Sequence, residues 1–282
     1  MLGQDLLSSL RARGWEVWAP AHAEVDVTDP ASVGQVASRQ ADWCFNCAAY
    51  TAVDRAETEV REATELNALA PGYLAKACAA SGARLMHVST DFVFDGTSSL
   101  SYREDSPTHP LGVYGKTKLE GEMGALANPL SVVARTSWLY GPGRGSFPKT
   151  MIRAWLAGKK LRVVGDQTGC PTYTADLARV MCDLAVAGPE GGVYHACGPD
   201  AVSWHELAVR AIREYVREFG GEEPQIEEIR TEDWPTPAKR PAYSVLSCEK
   251  TRSMGIEPMR PLDEALGDFV LKCDWKPPAY GP

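Results

Sequence analysis

The sequence predicts an α/β fold in which a doubly wound parallel sheet is joined to a smaller C-terminal lobe. Strand-like and helix-like segments alternate through the first two-thirds of the chain, which is the pattern of repeated βα units. The 282 residues are enough for one large domain with a lobe attached. Loops and prolines become more frequent after about residue 165. We therefore assign residues 1–165 to the large domain and residues 166–282 mainly to the lobe, with some segments returning to the large domain.

The elements of the large domain follow from local patterns. Short runs of β-branched and aromatic residues predict strands at residues 16–19, 43–48, 84–89, 130–135 and 161–164. Apolar residues with helical spacing predict helices at about residues 4–13, 58–80, 114–127 and 151–157. Asp29-Pro30 opens a further helix, because proline suits the first helical position. Gly82 ends the helix over 58–80.

The lobe has its own local signals. Ser203 and Glu206 fit a capping box, in which the serine accepts from the first turn and the glutamate bonds back. The proline-rich segment 234–241 predicts an ordered loop, and Pro261 opens a final helix. Residues 276–282 are expected to form a loose tail.

The N-terminus lacks a feature that doubly wound nucleotide-binding sheets usually have. Such sheets begin with a buried central strand and a glycine-rich turn before the first helix. Here Leu2-Gly3 stands directly before the helix, as the end of such a turn would. Our hypothesis is that about ten residues of strand and turn precede this sequence. The alternative is a divergent protein that binds its cofactor weakly.

Composition narrows the class of protein. The formal net charge of −8 disfavours a nucleic-acid binder. The N-terminus has no signal-peptide pattern, and no stretch approaches the ~18 apolar residues of a membrane span. We therefore expect a cytoplasmic protein with no membrane partner.

The cysteines and histidines do not predict a metal or disulfide site. Cys44 and Cys47 are the only close pair, and on a strand they would point to opposite faces. We expect all eight cysteines to be reduced and structural. The five histidines have no HExxH spacing, so no metal ligands are predicted.

One group of residues has the pattern of a catalytic site. Thr90 ends a predicted strand, and Tyr114 and Lys118 lie four residues apart on one face of the helix that follows. An ammonium near the phenol would lower the tyrosine pKa and make it a usable acid and base. The Thr90 hydroxyl would hydrogen-bond the same carbonyl oxygen, because ligands bind at the carboxyl edge of open α/β sheets. A plain amphipathic helix is the alternative for an isolated YxxxK pair.

The longer motifs resemble a known family. The runs are NCAAYTAVDRAE (46–57), STDFVFDG (89–96), YGKTKLEGE (114–122), RTSWLYG (135–141), DQTGCPT (166–172) and WPTPAKRPAYSVL (234–246). Together they resemble the dTDP-4-dehydrorhamnose reductase family of the extended short-chain dehydrogenase/reductases. The resemblance covers nearly the whole chain, and it makes the large domain a dinucleotide-binding Rossmann domain and the lobe a substrate-binding one.

The resemblance implies a role for each matching residue around the cofactor. Tyr114 would protonate the C4 oxygen, Lys118 would hold the nicotinamide ribose and depress the tyrosine pKa, and Thr90 would orient the carbonyl. The remaining residues at the cofactor would be Leu2, Gly3, Asp26, Val27, Ala48 and Ala49. The small side chains of Ala48 and Ala49 would let the cofactor pass closely. Asp26 has the alternative of capping the turn that follows it.

The same resemblance implies a substrate side. Thr51, Val53 and Trp138 would face the sugar, although Val53 and Trp138 could equally be core residues. Phe92 replaces the tyrosine often found after STD in the family, which removes one hydrogen bond to substrate. Arg240 would lie near the nucleotide half of the substrate, with a solvated surface charge as the alternative. Local positive charge for the dianionic substrate would come from Arg144, Lys149, Arg153 and Arg240.

The implied reaction is reduction of a dTDP-linked 4-keto-6-deoxysugar by NADPH or NADH, giving dTDP-L-rhamnose. No arginine after the second strand would grip a 2′-phosphate, and Glu24 or Asp26 could accept from a ribose hydroxyl. At family level, Mg²⁺ is also implied, and a homodimer is a further expectation.

Two alternatives stay open. One is another nucleotide-sugar enzyme of the superfamily, such as an epimerase; a dehydratase would need a second carboxylate where Phe92 stands. The other is a non-catalytic regulatory homologue, like the β-subunit of methionine adenosyltransferase. The presence of Thr90, Tyr114 and Lys118 together argues against the regulatory protein.

Overall fold

The computed structural model describes residues 1–143 and 145–275, so Arg144 and the predicted tail at 276–282 lie outside the described residues. The α-helices are α1 Leu2–Ala12, α2 Pro30–Ala37, α3 Val53–Ala56, α4 Val60–Ala63, α5 Ala70–Ser81, α6 Val113–Leu126, α7 Phe147–Leu156, α8 Thr174–Ala187, α9 Trp204–Phe219, α10 Glu249–Ser253 and α11 Leu262–Lys272. The strands are β1 Trp43–Asn46, β2 Arg84–Thr90, β3 Val132–Thr136, β4 Leu139–Tyr140, β5 Leu161–Val164, β6 Thr168–Gly169, β7 Thr172–Tyr173, β8 Gly192–His195, β9 Val202–Ser203 and β10 Ile226–Ile229. A π-helical segment, Thr64–Leu69, joins α4 to α5.

The central sheet is parallel and has the strand order β1-β2-β3-β8. Successive residues of β2 point to opposite faces of the sheet. Leu85 packs with residues of α2 and α5, whereas Met86 packs with residues of α1 and α8. Helices therefore cover both faces, and the predicted doubly wound α/β fold is confirmed.

The main predicted helices are also confirmed. The stretch predicted over 58–80 is continuous from α4 through the π-helical segment to α5, and Gly82 caps it with a left-handed φ of 76°. Asp29 caps α2 by accepting from two backbone N–H groups of its first turn. Pro261 precedes α11 directly.

The strand predicted at residues 16–19 is wrong. This segment belongs to no β-ladder, and Trp15 and Val17 pack as half-buried side chains against the α1 and α8 face. A strand needs a hydrogen-bonded neighbour, and β1 is the last strand at this edge among the described residues. The hypothesis of a further strand preceding this sequence stays a prediction.

The lobe is built around a second core formed mainly by α7, α9 and α11. The strand predicted at 161–164 is confirmed as β5, but it pairs with β10 in a separate two-stranded sheet rather than with the central sheet. Ser203 accepts from the backbone N–H of Glu206 at 3.0 Å, as expected of an N-cap. The second half of the predicted capping box is wrong, because the Glu206 carboxylate contacts Arg210 instead. The segments α8 and β8 follow residue 166 but pack in the large domain.

Candidate active site at the carboxyl edge of the sheet

The structure brings Thr90 and Tyr114 together where β2 ends. α6 packs directly against the chain that follows Thr90. Gly115 makes this approach possible, because a Cβ at that position would lie 2.2 Å from the Phe92 carbonyl oxygen. The phenol of Tyr114, in the first turn of α6, lies close enough to the Thr90 hydroxyl to interact with it. The Phe92 ring lies edge-on to the Tyr114 ring, with centroids 5.5 Å apart.

The predicted depression of the Tyr114 pKa is wrong. Burial raises the pKa of Tyr114 to about 12, while the hydrogen bond with Thr90 lowers it and the Asp91 charge raises it further. Lys118 does not offset the burial, because its ammonium lies further back along β2. Its Nζ donates to the Val88 carbonyl oxygen at 2.6 Å and lies 3.4 Å from Nε2 of His87. Tyr114 is therefore a protonated phenol at neutral pH.

Lys118 is almost completely buried, with 2% of its surface exposed. Burial lowers its pKa to about 8, and the nearby Glu122 and Cys47 oppose that shift. Burial also lowers the pKa of His87 well below its ordinary value, so this histidine is neutral. Keeping the buried Lys118 charged therefore costs free energy, and further hydrogen-bond acceptors for its ammonium would lower that cost.

Asp91 is a buried carboxyl group that the sequence reasoning did not assign to the site. Its Oδ1 accepts from the Thr90 hydroxyl at 3.0 Å, and its Oδ2 accepts from the Ser244 hydroxyl at 2.6 Å. Burial raises its pKa to about 6, against the effect of these two hydrogen bonds. Asp91 therefore links the Thr90–Tyr114 pair to the loop that carries Ser244. The STD motif contained this residue, but nothing local to it indicated that Ser244 lies beside it.

Asn46 sets the conformation of the segment that follows the carboxyl end of β1 and contains Ala48 and Ala49. The Asn46 Oδ1 accepts from the Ala48 N–H at 3.1 Å, and this turns its Nδ2 toward Nδ1 of His87, 3.0 Å away. Asn46 is buried and was not predicted as a site residue. The sequence feature from which Asn46 could have been predicted is its place in the NCAAY run.

Asn67 holds the next part of the same loop. Its Oδ1 accepts from the Tyr50 N–H at 2.9 Å, and its Nδ2 donates to the Tyr50 carbonyl at 3.0 Å. Asn67 lies in the π-helical segment, a distortion that is frequent at functional sites. Thr51 follows this clamp as an exposed residue, and Val53 begins α3 as a half-buried one.

Arg240 reaches the same region from the lobe, but its guanidinium is already paired. It binds the Asp54 carboxylate through two N–H···O contacts, of 2.8 and 3.0 Å, and also donates to the Ala238 carbonyl. The hydrogen bond from Arg240 lowers the pKa of Asp54. The alternative of a solvated surface charge is therefore wrong, and the pair ties the 234–241 loop to α3 beside Val53.

Trp138 follows β3, so it lies at the same carboxyl edge. It is half-buried and its ring is stacked on that of Trp204, with centroids 3.5 Å apart. Of the other basic residues expected to attract the substrate, Lys149 donates to the Pro142 carbonyl and Arg153 to the Asp274 carbonyl.

At the other end of the edge lies the N-terminus of α1. Leu2 is buried, and a Cβ built on Gly3 would lie 3.7 Å from the Cys47 side chain, in ordinary contact. Helix N-termini attract phosphate because their first N–H groups have no intrahelical acceptor. Gly3 thus lies beside Cys47, the residue before Ala48 and Ala49, so the first turn of α1 and this segment could together hold the pyrophosphate of a dinucleotide.

Asp26 and Val27 lie on the segment before α2. The Asp26 Oδ1 accepts from both the backbone N–H and the hydroxyl of Thr28, at 2.9 and 2.7 Å. These bonds lower the pKa of Asp26. Asp26 thus caps its own turn in this structure, while Glu24 accepts from the Ala21 N–H at 2.8 Å.

Within residues 1–143 and 145–275, no three histidine, cysteine or acidic side chains converge as metal ligands would. All eight cysteines are free thiols. None of the described helices is both long and apolar enough to span a bilayer.

Comparison with known proteins places this geometry in context. Residues 1–274 match the family model described as RmlD substrate binding domain. A dTDP-4-dehydrorhamnose reductase of Mycolicibacterium smegmatis is 40% identical over 273 residues, covering 96% of this chain and 82% of that protein. A probable dTDP-4,6-dihydroxy-2-methyloxan-3-one 4-ketoreductase of Streptomyces antibioticus is 40% identical, covering 100% of this chain and 96% of that protein. The crystal structure of the dTDP-4-dehydrorhamnose reductase of Bacillus anthracis in complex with NADP superposes with a TM-score of 0.89 at 32% identity, covering 96% of this chain and 95% of that one.

Proposed function

Since the chain belongs to the RmlD substrate-binding-domain family, we propose that it reduces the C4 keto group of dTDP-4-dehydro-L-rhamnose to give dTDP-L-rhamnose. NADPH or NADH is the proposed hydride donor, supported by the similar structure solved with NADP. The observation that carries the proposal is the close approach of the Thr90 hydroxyl and the Tyr114 phenol at the carboxyl edge of a doubly wound sheet.

The chain's own residues account for the proton. A bound reduced nicotinamide supplies the hydride, which leaves negative charge on the C4 oxygen. Tyr114, with a pKa of about 12, is protonated at neutral pH and can donate to that oxygen. The Thr90 hydroxyl orients the carbonyl from the strand side. Since the structure also directs this hydroxyl to Asp91, it must turn from the carboxylate to donate to substrate.

The proposed cofactor contacts use groups that keep hydrogen-bonding capacity. A protonated Lys118 has three N–H donors and gives one to Val88, so donors remain for a ribose hydroxyl. Leu2 and Gly3 would face the pyrophosphate from the start of α1, and the segment with Ala48 and Ala49 would pass beneath it. Asp26 and Val27 are proposed to lie beside the adenosine.

The proposed substrate contacts lie on both sides of the cleft. Thr51, Val53 and Phe92 would contact the sugar from the large domain, and Trp138 from the end of β3. Arg240, whose side chain is oriented by Asp54, would lie beside the nucleotide half of the substrate. In this proposal residues 1–165 form the dinucleotide-binding domain, and residues 166–282 supply most of the substrate lobe.

The test follows oxidation of NADPH by absorbance after adding the enzymatically prepared 4-keto-sugar nucleotide. Tyr114→Phe should lower kcat by roughly 10²–10⁴-fold, the usual range for a lost general acid, while the Kd for NADPH stays within about twofold. Tyr73→Phe, on α5 away from the site, is the matched control and should keep full activity. A folded, cofactor-bound wild type that oxidises no NADPH would reject the reductase proposal. Full turnover by Tyr114→Phe would show that another group delivers the proton.

A second candidate substrate has support from one comparison. The 4-ketoreductase of Streptomyces antibioticus is as similar in sequence as the rhamnose enzyme is. A different dTDP-linked 4-keto-6-deoxysugar is therefore the second candidate. The ratio of kcat/KM for the two sugars decides between them.

The proposal also covers assembly and location. We expect a homodimer, and Leu69 and Met123, on neighbouring helical segments, are exposed apolar side chains that would suit a contact between copies. Light scattering would measure the mass. A cytoplasmic location is proposed because nucleotide sugars and reduced nicotinamides are used there. A non-catalytic regulatory role would be favoured instead if the protein bound cofactor without turnover.

A further inference from the structure

Two tryptophans distant in sequence form a parallel stack at the edge of the candidate site. The rings of Trp138 and Trp204 have centroids 3.5 Å apart and planes only 5° apart. Phe147 contacts the Trp204 ring in turn, with centroids 4.7 Å apart. Trp204 therefore covers one face of the Trp138 indole.

The backbone of Trp138 is strained. Its φ is +45°, and within the described ranges Gln40 is the only other non-glycine residue with a positive φ. A bulky residue rarely adopts this conformation unless its surroundings enforce it, and such residues concentrate at ligand sites. The strain therefore indicates that the direction of this indole matters.

Gly169 and Gln167, from the DQTGCPT run, supply the surroundings that enforce it. A Cβ at Gly169 would lie 2.5 Å from the Trp138 ring, so only glycine lets the indole occupy this position. β6 pairs with β9 next to Trp204, and the Trp204 Nε1–H donates to Oε1 of Gln167 at 3.2 Å. Gln167 is buried and in turn donates to the Thr231 hydroxyl at 3.0 Å. Trp204 is therefore held by a hydrogen bond as well as by packing.

We propose that Trp204 and Gly169 are positioning residues that hold the Trp138 indole as a rigid wall against the deoxysugar ring of the nucleotide-sugar substrate. The inference rests on the proposed function. An aromatic face suits the apolar C–H groups and methyl group of a 6-deoxysugar, and a fixed ring loses little entropy on binding. Neither residue contacts the hydride or the proton, so they act on substrate affinity rather than on the chemical step.

The experiment compares Trp204→Leu and Gly169→Ala with wild type, using steady-state kinetics and calorimetric binding of dTDP-rhamnose. Both variants should raise KM and the product Kd about tenfold while kcat stays within about threefold, the pattern of lost binding that is uniform between ground and transition states. Trp204→Phe, which restores a ring, should recover most of the affinity. Near-ultraviolet circular dichroism should lose the signal of two parallel indoles in Trp204→Leu.

Trp155→Leu is the matched control. Trp155 belongs to the same core and is also half-buried, but it meets Tyr215 edge-on and is outside the stack. It should leave KM and Kd unchanged. Unchanged KM and Kd in Trp204→Leu and Gly169→Ala would overturn the positioning role, as would an equal rise in Trp155→Leu. A wild type that binds dTDP-rhamnose but shows no turnover would reject only the proposed function. The positioning role would still be tested, because calorimetry could still compare the affinities of the variants.

Discussion

The buried ion pair between Glu122 and Arg135 makes the sharpest stability prediction. Glu122 lies one turn after Lys118 on α6, and Arg135 lies on β3. Two N–H···O contacts, of 2.7 and 2.9 Å, join their side chains, and the Ser89 hydroxyl on β2 donates to the same carboxylate at 2.5 Å. The side chains of Arg135 and Glu122 are only 5% and 3% exposed. The pair therefore fastens the helix that carries the proposed catalytic residues to two strands.

Glu122→Ala should destabilise the protein by about 3–5 kcal/mol, the usual cost of removing one partner of a buried pair. The reason is that the Arg135 cation would stay buried without its counter-charge, and the Ser89 hydroxyl would lose its acceptor. The guanidinium would keep only the Glu104 carbonyl oxygen, 3.4 Å from Nη1, and the Phe94 ring, whose centroid lies 5.2 Å away. A cation–π contact contributes only about 0.5–2 kcal/mol, so it cannot replace the carboxylate.

The assay is urea unfolding followed by far-ultraviolet circular dichroism, with the free energy extrapolated to water. Glu227→Ala is the control, because Glu227 pairs with Arg162 at 3.2 Å with both side chains about half exposed. Such a surface pair should contribute less than about 1 kcal/mol. If Glu122→Ala lost no more stability than Glu227→Ala, the argument from buried charge would be refuted.

Three further predictions test other parts of the structure. Asp54→Asn should release Arg240 and its loop, raising KM for the sugar nucleotide roughly tenfold with kcat nearly unchanged; equal kinetics in variant and wild type would contradict this. Burial raises the pKa of Asp91 from 3.8 to about 6, so between these values the folded protein keeps a proton that the unfolded chain has released. Stability should therefore fall by about 3 kcal/mol as pH rises through that window, and Asp91→Asn should flatten this dependence in urea titrations at several pH values. Gly96→Ala should cost roughly 2 kcal/mol or more, because φ is +79° and the new Cβ would lie 2.6 Å from the neighbouring loop. Gly158→Ala, at φ +68° in open space, should cost only about 1 kcal/mol, and equal losses would show that the close contact is unimportant.

Local patterns were sufficient for most elements of the large domain. β2 and α6 form within one residue of their predicted starts, and Gly82 caps α5 as expected. Side-chain periodicity and capping depend on residues a few positions apart, so a single sequence contains the information needed. The same reasoning brought Thr90 and Tyr114 to one edge, because a βα unit places the strand end beside the next helix.

Local patterns failed where a residue's environment depended on distant parts of the chain. Residues 16–19 have strand-like composition but no neighbouring strand to bond. Lys118 was expected to lower the pKa of Tyr114, yet the fold buries both groups and directs the ammonium to Val88. The effect of burial on each pKa then exceeds the effect of one charge on the other.

The sequence by itself determined the doubly wound fold, the helix that carries Tyr114 and Lys118, and the strand end that carries Thr90. Only the tertiary structure decided which distant groups meet them, such as Asp54 with Arg240 and Asp91 with Ser244. The physical reason is that helix and strand formation follow from short-range sterics and hydrogen bonding. Contacts between residues more than a hundred positions apart depend instead on how whole elements pack, and no local spacing records that packing.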